Sequence, residues 1–204
     1  MVNDGRTDPR GDEDTIVALR TKCIIKLDDK HIIVATPRNW QIYYEQNKTY
    51  FVVFGPLINI YKHLEHLLPR RVFFLPCRDD DHYFVDVVRN QGVLIEGKIV
   101  SIDEKVYVAG IGGRSPLMNI QSILTKLNEL KAQYLVLATC YPPKGLLDQK
   151  VMGVPRGLYE LRDLVDYLGR LENIDKKIIL VGHNCVPGKM NIHRDVEIYC
   201  CMAI

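Results

Sequence analysis

Tyr134-Leu135-Val136-Leu137-Ala138-Thr139-Cys140-Tyr141-Pro142-Pro143-Lys144-Gly145 is the stretch on which the reading of the fold turns. Its first five residues form an apolar run without polar alternation, as suits a strand covered on both faces. Thr139, the Pro142-Pro143 pair and Gly145 then end the strand and open a loop. Lys177-Ile178-Ile179-Leu180-Val181 followed by Gly182-His183-Asn184-Cys185 repeats the pattern. Similar runs recur at Cys23-Ile24-Ile25, His31 to Ala35, Tyr50 to Phe54, Arg71 to Leu75 and Val106 to Ala109, and Val196 to Ile204 reads as a last strand.

Between the runs lie segments of helical period. Asn59 to Leu68 carries Ile60, Leu64, Leu67 and Leu68; Ile120 to Leu130 aligns Ile120, Ile123, Leu124, Leu127 and Leu130; Leu158 to Leu171 aligns Leu158, Leu161, Leu164, Val165 and Leu168. Strands alternating with such helices predict βαβ units and an α/β fold. Val93 to Tyr107, with turns at Glu96-Gly97 and Asp103-Glu104-Lys105, reads instead as a hairpin, so the sheet is expected to be mixed. Residues 1–14 are polar and charged and read as a disordered tail, leaving 15–204 as one domain.

Bulk properties exclude more than they assign. The formal net charge of +2 is too small to argue for nucleic acid. No apolar run reaches the roughly 18 residues of a membrane helix, and the first residues lack a secretory h-region. A cytoplasmic protein is expected. The six cysteines include no CxxC pair, and in a reducing compartment they are expected to stay free. Cys201-Met202-Ala203-Ile204 matches a prenylation box only superficially.

In parallel sheets, functional groups collect beyond the C-terminal ends of strands. Those loops are Thr36-Pro37-Arg38-Asn39-Trp40, Gly55-Pro56-Leu57-Ile58-Asn59, Pro76-Cys77-Arg78-Asp79-Asp80, Gly110-Ile111-Gly112-Gly113-Arg114, Thr139-Cys140-Tyr141-Pro142-Pro143 and Gly182-His183-Asn184-Cys185. Taken in order from Ile24 to Tyr199, they resemble the calcineurin-like metallophosphoesterases of single-domain type. That family hydrolyses phosphate esters with two metal ions held by DxH, GDxxD, GNx[DE], a lone histidine and GHxH. The resemblance implies a metallophosphoesterase-like α/β sandwich of mixed β-sheets flanked by α-helices.

The same comparison implies a degenerate member. Thr36 and Arg38 stand at DxH. Pro56 replaces the bridging aspartate of GDxxD, whose last position is Asn59. Arg78, Asp79 and Asp80 fill GNx[DE] with arginine at the asparagine ligand, and Cys140 replaces the lone histidine. His183 survives, and Cys185 replaces its companion. Proline offers no side-chain ligand. An arginine 4 Å from a unit positive charge is repelled by about 4 kcal/mol at an effective dielectric near 20. The expectation is therefore a non-catalytic protein with no cofactor that acts as an interaction subunit or scaffold, as the fold does in a retromer subunit and in small subunits of replicative polymerases. A protein partner is expected; nucleic acid and membrane are not.

Two alternatives keep chemistry at the rim. Cys77, Cys140, His183 and Cys185 form a Cys₃His set of the kind that holds zinc, which would allow a rebuilt phosphoesterase; the competing reading is three thiols filling space. Arg38, Arg78 and Arg114 would gather a phosphate or nucleotide, with Gly110 to Gly113 as a backbone nest. Against that stands internal pairing of Arg78 with Asp79, Asp80 or Asp81. The glycine loop is not a dinucleotide fingerprint, because its third glycine is misplaced and no acidic residue follows at the required distance. His63 and His66 read as part of a solvated helix face, and His82 lacks a nucleophile to serve.

Overall fold

The computed structural model describes residues 22–27, 30–35, 49–55, 71–91 and 93–201. Among the described residues, thirteen short strands form a five-stranded sheet, a six-stranded sheet and a separate two-stranded hairpin. The first is five-stranded, β1 (Lys22–Leu27), β2 (Lys30–Ala35), β3 (Thr49–Phe54), β4 (Val72–Leu75) and β5 (Val93–Leu94), in that spatial order. Only β1 runs antiparallel to its neighbour.

The helix α1 (His82–Gln91) joins β4 to β5. The chain then crosses to a six-stranded sheet. Its strands are β6 (Ile99–Ser101), β7 (Val106–Ile111), β8 (Ala132–Thr139), β11 (Ile174–Val181), β12 (Gly188–His193) and β13 (Val196–Cys200), ordered β12-β13-β11-β8-β7-β6. The four central strands are parallel, and β12 and β6 are antiparallel edges. The small hairpin of β9 (Lys150–Val151) and β10 (Val154–Pro155) lies apart. α2 (Pro116–Leu127) and α3 (Tyr159–Leu168) complete the βαβ crossovers.

Alternate residues of each strand explain the layering. In β11, Ile178 and Leu180 enter one cluster, shared with Val108, Val136, Ala138, Phe54, Phe73 and Leu75 from both sheets. Their neighbours Ile179 and Val181 enter another, with Ile123 and Leu127 of α2 and Leu161, Leu164 and Leu168 of α3. In β4, Phe73 and Leu75 face the other sheet, while Val72 and Phe74 pack with Val88 of α1. The result is a helix–sheet–sheet–helix sandwich, and a strand apolar on both faces is what such layering demands. Each fully buried large apolar side chain contributes about 1.5–3 kcal/mol.

The expected α/β sandwich with mixed sheets is the one observed. Four details differ. α1 was not expected: the acidic run before it obscured a helix whose Phe84, Val85 and Val88 pack on β4. α2 begins at Pro116 rather than Ile120, since proline is favoured at a first helical turn. α3 stops at Leu168, before Gly169. The Val93–Tyr107 hairpin is divided: β6 and β7 form one, but Val93-Leu94 pairs with β4 in the other sheet. The tail at 1–14 and the helix at Asn59–Leu68 fall outside the described residues. No helix among the described residues is long and apolar enough to cross a membrane.

Candidate functional site

The C-terminal ends of β3, β4, β7, β8 and β11 meet at one rim. Glycines let the sheets approach there. A Cβ on Gly112 would lie 2.3 Å from the Pro76 carbonyl oxygen, and one on Gly182 would lie 2.4 Å from the Phe54 ring. The Gly113 N–H donates to that same Pro76 oxygen at 2.7 Å. The glycine-rich stretch after β7 is thus explained by close packing of one sheet on the other.

Three further links fasten the rim. The first is His183, whose Nε2–H donates to the Gly55 carbonyl at 2.6 Å, joining the β11 and β3 loops. Burial holds the imidazole below its usual pKa of 6.5, opposed by that hydrogen bond and by Asp80 and Asp79. The second is a disulfide between Cys77, after β4, and Cys140, after β8. The third is Asp80, whose buried carboxylate accepts the Cys77 N–H at 2.7 Å and lies where a Gly55 side chain would be. Thr139 shapes its own turn: its hydroxyl donates to the Tyr141 carbonyl and accepts the Tyr141 N–H.

A second disulfide, Cys185–Cys200, lies on the opposite face of the six-stranded sheet. Cys140 belongs to the cluster between the sheets, whereas Cys185 and Cys200 belong to the cluster beneath α2 and α3. The expectation of one shared cluster is corrected: Cys140 and Cys185 face opposite sides of the sheet and are bonded to different partners. Nor do Cys77, Cys140, His183 and Cys185 assemble as one zinc site: the sulfurs are cross-linked in two places, and no group of three or more candidate ligands gathers among the described residues. The expectation of free cysteines is corrected with them; Cys201 remains a thiol, and it is buried.

The arginines behave otherwise. Arg78 and Arg114 line one cleft of 540 Å³ with Asp79, Pro116, Tyr141 and Leu158. The Tyr141 hydroxyl donates to the Gly113 carbonyl at 2.8 Å, and burial raises its pKa above 10.0, with Arg78 opposing and Asp79 and Glu96 adding to the rise. Arg114 Nη1 donates to His82 Nε2 at 3.1 Å, since a guanidinium only donates. The expected pairing of Arg78 within its acidic run is not formed. Asp80 holds the loop as above, Asp81 caps α1 by accepting the Tyr83 N–H at 2.7 Å, and no ion pair joins Arg78 to any described residue. Thr36, Arg38, Pro56 and Asn59 lie outside the described residues.

Sequence reasoning missed Tyr141, Leu158 and the N-terminus of α2 as neighbours of the arginines. The signal available was position: each follows a strand or opens a helix on the same edge of the sheet.

No family model matches the chain, and no curated protein matches it. One solved crystal structure shares the fold, with a TM-score of 0.52 over 74% of this chain and 78% of that one, at 16% identity. That likeness is one of architecture.

The metals of the resembled family can be tested against these residues. An imidazole that directs its Nε2 proton at a carbonyl has no lone pair there for a metal. A disulfide sulfur is no thiolate. Arg78 brings positive charge to a place where a cation would sit. Among the described residues, those at the resembled ligand positions do not fit a dimetal centre.

Proposed function

We propose that this chain is a non-catalytic, metallophosphoesterase-like protein that works as an interaction platform. One observation carries the reading: His183 and Cys140, at two ligand positions of the resembled family, are occupied in fastening one sheet to the other. Positions that would hold metal in a hydrolase of the resembled family here lock the rim. What the rim leaves accessible is the surface around Arg78, Arg114 and Tyr141, suited to binding rather than to activating water. The two disulfides favour an oxidising setting over the reducing cytoplasm first expected.

The test is hydrolysis of a generic phosphodiester with manganese or zinc, under non-reducing conditions and again after reduction. Turnover in neither state is expected. Turnover that is lost in His183→Ala would overturn the reading.

A further inference from the structure

A surface in contact with water usually keeps its large apolar side chains scattered. Next to the cationic cleft this chain does the opposite. Leu117 and Met118, in the first turn of α2, are 46% and 69% exposed. With Pro116 and Leu158, the residue that opens α3, they line a second cleft of 460 Å³. The two clefts share Arg114, Pro116 and Leu158, so they are one continuous groove. Its two ends differ chemically. One presents Arg78, Arg114 and the neutral Tyr141 hydroxyl; the other presents Leu117, Met118 and Leu158.

The polar end has an excess of donors. Arg78 has no ion pair with a described residue, and the partner of Arg114 is an imidazole rather than a carboxylate. α2 begins beside them with Ser115, whose side chain makes no capping bond to the first turn. Two guanidiniums facing the single carboxylate of Asp79 leave unbalanced positive charge at the mouth of the groove, which is complementary to an incoming carboxylate. Asp79 and Glu160 also line the groove, one in each half, which leaves the polar half with two guanidiniums to one carboxylate. They would repel a continuous polyanion, so nucleic acid and an anionic membrane fit badly. A single acidic group followed closely by an apolar one fits well.

We infer that this groove docks a short segment of a partner protein in which an aspartate, glutamate or C-terminal carboxylate precedes a large aliphatic or aromatic residue. The carboxylate lies between Arg78 and Arg114, and the apolar side chain covers Leu117, Met118 and Leu158. Arginine, tyrosine and methionine are the residue types enriched where proteins meet, and an arginine at the centre of such a patch is a usual energetic anchor. The inference rests on the interaction-platform reading and gives that platform its address.

A random heptapeptide display library, panned against the oxidised chain, provides the test. Peptides with an acidic residue next to a leucine, isoleucine or phenylalanine should be enriched. Their affinity, measured by fluorescence anisotropy, should drop by roughly tenfold or more in Arg78→Ala or Arg114→Ala. In the Arg78→Glu, Arg114→Glu double variant, panning should select lysine or arginine in place of the acid. Unaltered circular dichroism and melting in these surface variants would exclude misfolding as the cause. Three results would overturn the inference: no enrichment, enrichment without an acidic residue, or binding that survives the double charge reversal. Phenyl phosphate that binds the groove while the library yields nothing would also overturn it, in favour of a small anion. A chain that hydrolyses phosphodiesters would overturn the parent reading instead, so the two failures are separable.

Discussion

Two neighbouring parts of one rim use their polar residues in opposite ways. Around Gly55, Cys77, Asp80, Cys140 and His183, every group named finds its partner within the protein; the His183 and Cys77–Cys140 links run from sheet to sheet, and Asp80 ties its own loop. A few residues along the chain, around Arg78, Arg114 and Tyr141, two guanidiniums line a cleft that holds one carboxylate, Asp79, and neither is ion-paired to it. Cys77 and Arg78 are adjacent, as are Cys140 and Tyr141. The disulfide that fastens the first part therefore also positions two side chains of the second. Rigid backbone beneath an accessible polar patch is an arrangement suited to recognition, because little ordering remains to be done on binding.

The contrast can be broken most forcefully at the disulfides. Cys77–Cys140 closes a separation of 63 residues and Cys185–Cys200 one of 15. By loop-closure entropy, paired serine substitutions should cost about 4 kcal/mol at the first and about 3 kcal/mol at the second, measured by urea denaturation of otherwise oxidised protein. Equal losses would show that the sheet-to-sheet bridge has no special weight. Next comes Gly182→Ala. Its Cβ would press into the buried Phe54 ring, so destabilisation of about 1–3 kcal/mol is expected from overpacking; unchanged melting would mean the sheets are less closely apposed than described.

His183→Ala should cost about 1 kcal/mol for the Gly55 hydrogen bond. Its pH dependence is the sharper readout. Burial lowers the folded pKa below the ordinary 6.5, so above pH 6.5 both states are neutral and the contribution is complete. As pH falls below 6.5 the unfolded chain takes up a proton that the folded chain resists, and stability declines until the folded pKa is passed. His183→Gln should remove that part of the slope; an unaltered profile would place the titration elsewhere. The smallest stability effects belong to Arg78→Ala and Arg114→Ala, within about 0.5 kcal/mol, although the same changes should cripple docking. A large loss of stability there would dissolve the distinction between the two parts of the rim.

Much of the fold was legible because strands covered on both faces leave an unmistakable trace. Val108, Val136 and Ile179 sit in unbroken apolar runs, and the runs end where loops begin. The helix at His82–Gln91 was hidden for a physical reason: Asp79, Asp80 and Asp81 look like one acidic cluster, but Asp79 lines the cleft, Asp80 ties its own loop, and only Asp81 is a cap. At the rim, residue order identified which loops converge. It could not show which face of a strand end a cysteine occupies. Cys140 directly follows β8, whereas Cys185 lies past a turn beyond β11, and one projects between the sheets while the other lies beneath the helices, which decides that they make two cross-links and not one site. Arg78 was expected to pair locally, but Asp80 and Asp81 are held by backbone N–H groups, and no ion pair joins Arg78 to Asp79.

The claim at the centre of this account is that the rim is a fastened platform rather than a dimetal hydrolytic centre. Its most direct test is the metal content of oxidised protein incubated with manganese and zinc, desalted, and measured by elemental analysis alongside a free-thiol count. No stoichiometric metal is expected, with Cys77, Cys140, Cys185 and Cys200 unreactive toward thiol reagents. A pair of metal ions retained per chain, the stoichiometry of a two-metal phosphoesterase, would contradict it.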